Sequence, residues 1–150
     1  MPSALPTTLE ELVKIAILAD GPLADFFLAQ GRVLEEALFP RAQASGVAKD
    51  VLGPNTPTPF LIVETGGVSG QIALYSDVTI RVYDDPRQRY WRIEDITNLL
   101  SRALDHKQLE PAQDGYDNWQ RLDRAYVSPK LTDPDWQKNW KYIRFNVYGL

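Results

Sequence analysis

Cysteine is missing from all 150 residues, which excludes disulfides and thiolate chemistry and leaves any zinc to be held by His, Asp and Glu alone. Histidine is almost missing as well. His106 is the only one, so neither a metal site nor a cofactor is expected. The lack of cysteine fits a reducing compartment. Long apolar runs are also absent: the stretch Ile15–Ala19 falls far short of the roughly 20 residues a membrane helix needs. Met1–Leu12 lacks the basic-then-apolar order of a signal peptide, so no membrane partner is expected. Positive charge is not in excess, since 16 basic against 20 acidic residues leave a net charge of −4. That balance argues against a surface built to grip phosphate backbones.

What is present is strong periodicity. In Gln71–Asp85 the apolar Ile72, Leu74, Val78, Ile80 and Val82 share one parity, and Tyr75, Asp77, Thr79, Arg81 and Tyr83 share the other. Side chains of an extended chain alternate between faces, so this is a long strand with one apolar side. Phe60–Glu64, a compact branched and aromatic run, predicts a strand buried on both faces. Between them Thr65–Gly70 supplies turn residues for a hairpin.

Around this pair the remaining elements fall in order. Residues 1–7, with two prolines, read as a flexible arm. Thr8–Glu11 has capping-box spacing, and Leu9, Leu12, Val13, Ala16 and Ile17 form the stripe of a first helix. Asp20-Gly21-Pro22 ends it. Pro22 and Gly31 frame a second helix over Leu23–Gln30. In Arg32–Phe39, Val33, Leu34, Ala37 and Leu38 fit a helix, while Arg32-Val33-Leu34 fits a short strand equally. Residues 40–59 are a Pro/Gly-rich loop. Trp91, Ile93, Ile96, Leu99, Leu100, Ala103 and Leu104 recur at helical spacing and predict the main helix. Asn118–Val127 reads as a third strand, and Trp140–Tyr148 alternates strictly as a fourth. The expectation is one α+β domain over residues 1–150, a four-stranded, mainly antiparallel sheet with helices packed on one face in helix-hairpin-helix-hairpin order.

Few residues have the makings of chemistry. Thr65–Gly70 looks superficially like a phosphate cradle, but Gln71 stands where a P-loop needs Lys, and a strand follows instead of a helix. Asp84-Asp85 and Asp133-Pro134-Asp135 pair carboxylates without a third oxygen ligand nearby, which reads as strand ends and turns. Arg87, Arg89 and Arg92 interleave with Tyr90 and Trp91, a combination able to stack on bases. Asp84, Asp85, Glu94 and Asp95 bracket them, favouring a neutralised surface or an ion pair between subunits.

The aromatics are more informative. Eight of the sixteen lie in the last 35 residues. If Ile143, Phe145 and Val147 fill a core, Trp140, Tyr142 and Tyr148 stand on the opposite face. Rings on an otherwise wet sheet face are typical anchors of protein contacts. The alternative is that residues 128–139 or 40–59 fold over that face within the same subunit, and both readings stay open.

Taken together, a helical N-terminus, Pro59–Val63, Val78–Tyr83, the helix Ile93–Leu104 and the closing Tyr142–Gly149 form a layout that resembles the tail-terminator, or tail-completion, proteins of long-tailed bacteriophages. The likeness spans most of the chain from Arg32 onward. The first forty residues and Ala112–Trp119 match less well, which leaves a related head–tail connector as the alternative. The resemblance implies a non-enzymatic ring, commonly hexameric, that caps the tail tube, stops its growth and offers the head a docking surface. It further implies assembly in the host cytoplasm and residence in the virion. Its partners would be itself, the major tail tube protein and a head–tail connector protein, with DNA passing the lumen unbound. On this reading the contact residues are Trp136, Trp140, Tyr142, Tyr148, Gly66, Gly67, Arg87 and Arg89. The rival is a small α+β enzyme or ligand-binding domain using Asp133, Asp135 and His106.

Overall fold

The computed structural model describes residues 9–40, 52–66, 75–109 and 120–149. Helix α1 spans Leu9–Leu18 and buries Val13 and Ile17. Thr8, the expected cap, lies outside the described residues. Asp20 does more than end α1. Its Oδ2 accepts the Leu23 N–H at 3.0 Å, capping α2, which spans Gly21–Ala29 with Pro22 in its first turn. Gly31 follows at φ 75°, the left-handed conformation that glycine adopts most cheaply. The ambiguous stretch resolves as helix, α3, Leu34–Ala37, which runs directly into a strand that was not expected there, β1, Leu38–Pro40.

Strand β2 spans Phe60–Gly66 and β3 spans Tyr75–Asp84. They pair antiparallel, Phe60 opposite Tyr83 and Gly66 opposite Asp77, and their connection, residues 67–74, lies outside the described residues. After a 3-10 turn at Pro86–Gln88 comes α4, Trp91–Leu104. Then follow β4, Gln108–Leu109, β5, Gln120–Val127, β6, Leu131–Asp133, and β7, Lys138–Gly149.

The architecture corrects the four-stranded expectation. The sheet has seven strands in the order β1-β2-β3-β7-β5-β4, with β6 also on β7, and it curls into a half-barrel carrying four helices. It is mixed, because β1 runs parallel to β2. Three of the strands missed by periodicity are two or three residues long, too short for an alternation to register. β5 and β6 lie end to end along one side of β7, separated by Ser128-Pro129-Lys130. A register shift between Arg124 and Tyr126 marks a bulge in β5, a device that bends and twists a strand.

One face of the sheet carries the main core. Leu61, Val63, Val78, Ile80, Val82, Ile143, Phe145 and Val147 are buried there. They pack under Val13, Ile17, Leu23, Phe27 and the stripe Ile93, Ile96, Leu100 and Leu104. Trp91, expected on that stripe, is 72% exposed instead. It stands two residues before Ile93, about 200° around the helix from the buried side. One charged pair pins the layers: Arg92 donates to both oxygens of the fully buried Asp84, at 2.8 and 2.6 Å, and to Gln30 Oε1 at 3.2 Å. The guanidinium thereby ties α2, α4 and the end of β3 together.

Candidate interaction face

The opposite sheet face is aromatic. Register places Phe60, Tyr83 and Trp140 in one row, and Ile62, Arg81 and Tyr142 in the next. Phe60 stacks on Tyr83 at 4.9 Å and Tyr83 on Trp140 at 5.5 Å, with interplanar angles of 4° and 10°. Such offset rows add to the burial of area that aromatic rings supply. Tyr83 is 2% exposed, and burial pushes its phenol above the ordinary value against the pull of Arg81.

Two chain segments cover half of this face from within the same subunit. The turn between β6 and β7 sets Trp136 5.3 Å from Tyr83 and 6.1 Å from Phe60. Asp133 holds the turn by accepting the Trp136 N–H at 3.0 Å. The second segment, residues 52–59, buries Leu52, Thr56 and Pro59, and Lys138 Nζ donates to the Pro54 carbonyl at 2.6 Å. Trp136 is therefore an internal anchor. Its ring, only partly buried, packs on Phe60 and Tyr83 and closes a second, smaller core.

Beyond Trp140 the described residues leave the face partly exposed. Tyr142 lies 5.9 Å from Trp140 and 5.8 Å from Tyr126, which is 47% exposed. Arg81 sits over the Trp140 ring at 5.3 Å, and Arg144 over Tyr142 at 5.7 Å. Arg81 also donates to Glu64 at 2.8 Å. The result is a strip of aromatic rings and guanidinium groups across β3, β7 and β5. Trp140 and Tyr142 are thus brought together as expected. Tyr126, Arg81 and Arg144 are additions; the parities that placed Tyr83 and Tyr142 also carried Arg81 and Arg144, so two of the three were within reach.

The other expected contact residues scatter. Gly66 ends β2, and Gly67 lies outside the described residues. Tyr148 is in register with Tyr75 and Arg121, and its side chain lies outside the described residues. Arg87 folds back on Asp85 through 2.6 and 3.0 Å bonds, an exposed local pair. Those bonds hold the Asp85 carboxyl down to about 2. Arg89 sits at φ 56°, where its carbonyl accepts from Asn139 Nδ2 at 3.2 Å.

The residues of the enzyme reading do not converge. Asp123 stands opposite Asn146 and Asp133 opposite Lys138, eight residues or about 27 Å apart along β7. His106 belongs to the Asp123 end, where Nδ1 shares a 3.0 Å hydrogen bond with Asp123. Asp105, His106 and Asp123 bring ligand atoms within 4.8 Å of one another. Both carboxylates are already engaged: Asp105 accepts the Arg124 N–H at 2.8 Å and Asp123 accepts from Arg121 at 3.0 Å. The trio acts as a clasp joining the end of α4 to β5. Asp84 and Asp85 are likewise taken, by Arg92 and Arg87.

Among known proteins, no family model matches the chain and no curated sequence matches it.

Proposed function

We propose that the chain is a structural subunit of a bacteriophage tail, a terminator that forms a ring on the end of the tail tube and presents a surface to the head. The observation that carries this reading is the partly exposed strip of Trp140, Tyr142, Tyr126, Arg81 and Arg144, on a face whose other half the chain itself covers. Tyrosine, tryptophan and arginine are the residues that dominate protein contacts, and a half-exposed row of them fits a partner of protein surface. A net charge of −4 suits a lumen that must let DNA slide without cationic grip.

The test is mass in solution together with electron micrographs, alone and with a tail tube protein. Rings, or tubes of defined length capped by rings, are the expected outcome. Tyr142→Ala should leave the fold intact and weaken capping about tenfold, an effect of about 1.4 kcal/mol at a contact of this kind. A monomer that ignores the tube and turns over or binds a small molecule would end the proposal.

A further inference from the structure

Two surfaces outside the aromatic strip are complementary to each other. The first is a knob. Trp91 opens α4 with 72% of its surface exposed, at the rim of a shallow groove shared with Arg89, Tyr90, Glu94, Lys130 and Asn139. Its rim carries two cations, Arg89 and Lys130, and one carboxylate, Glu94. Arg89 has no carboxylate partner among the described residues, and Lys130 reaches Glu94 only at 4.0 Å while resting over the Tyr90 ring at 5.4 Å.

The second surface is a hole. Leu18, Ala24, Leu28, Val33 and Leu34 line a dimple of about 210 Å³ where α1, α2 and α3 meet, with Glu35 on its rim. Leu28 is 59% and Val33 47% exposed, an apolar cluster that the described residues leave uncovered. The charge on its rim, Glu35, makes no ion pair with a described residue. A large ring beside Arg89 and an apolar hollow beside Glu35, neither charge paired with a described residue, occupy different parts of one chain.

We propose that these surfaces bind each other between copies of this chain, Trp91 of one subunit seating in the Leu18–Leu34 dimple of the next while Arg89 faces Glu35. Distinct patches on one chain make a head-to-tail contact, the kind that generates a ring when its rotation closes. Charge complementarity at the rim sets the partner and the register. The assignment rests on the reading of the chain as a ring subunit, and it leaves the aromatic strip to the tube or the head.

The absence of cysteine makes disulfide trapping clean. Chains carrying Arg89→Cys and chains carrying Glu35→Cys are mixed at high concentration and oxidised; the mixture should give a cross-linked dimer that neither chain gives alone, and the double variant a ladder of multimers. Trp91→Ala should weaken association about 30-fold in sedimentation, the loss of a contact worth about 2 kcal/mol. Arg89→Glu should weaken it too, and adding Glu35→Arg should restore it. Rings that form and survive Trp91→Ala, or a mixture that never cross-links, would overturn this contact and leave the ring reading standing. A chain that fails to associate with itself or with tube protein at any concentration would overturn both.

Discussion

The two faces of the sheet are built from the same strands and the same alternation, yet they are completed in different ways. The face under the helices is aliphatic, closed by Val13, Ile17, Leu23, Phe27 and the α4 stripe. The other is aromatic and only half closed, by Trp136 and residues 52–59. The contrast separates two uses of apolar area. Branched aliphatic side chains interdigitate with helices and exclude water, which is where folding gets most of its driving force. Flat rings with polar tips tolerate partial exposure and remain able to meet another surface.

Substitutions along the sheet should expose that gradient. Phe145→Ala, in the fully buried face, should cost about 4 kcal/mol in urea unfolding; a loss below about 1 kcal/mol would mean that the helices do not close this face. Arg92→Ala leaves the buried Asp84 carboxylate uncompensated and should cost about 3 kcal/mol, with Asp84→Asn in the same background recovering part of the loss. Trp136→Ala removes a half-buried ring from the smaller core, and about 2 kcal/mol is expected, less than a full core aromatic because the site keeps contact with water. If this variant proved as stable as the parent, the half-covered face would be surface and the distinction between two cores would collapse.

The smallest effect belongs to the surface pair beside Arg92. Asp85 is held at about 2 by the hydrogen bonds from Arg87, below its ordinary 3.8. A depressed carboxylate adds stability that is fully present above the unfolded value, near pH 4, and lost as pH falls through about 2. An NMR titration should find the Asp85 carboxyl below the other exposed aspartates. Arg87→Ala should return it toward 3.8 with little change in the melting temperature, because exposed pairs contribute little.

Much of the main core was legible. Val78, Ile80 and Val82, Ile143, Phe145 and Val147, and Ile93, Ile96, Leu100 and Leu104 of the α4 stripe were all marked by period, and all are buried. Trp91 misled because a helix's first residue can satisfy the spacing of a stripe while pointing away from it. The sheet was undercounted because β1, β4 and β6 are shorter than a detectable alternation. The candidate face was half legible. Trp140 and Tyr142 were marked by parity, but the seat of Trp136 on Phe60 and Tyr83 joins residues 50 to 80 positions apart, for which no local signal exists. The pairing of Asp84 with Arg92 was hidden for a related reason, since it crosses from a strand to a helix whose mutual angle the sequence does not state.

The sequence by itself determined which stretches are extended or helical and which side of each is apolar, because those follow from backbone geometry repeating every two or 3.6 residues. Only the tertiary structure decided what each apolar side meets. A parallel partner for β2, a turn folded over Tyr83, and a tryptophan left in water all depend on where distant segments arrive. Such arrivals are settled by the shared packing of the whole chain rather than by any repeat within a segment.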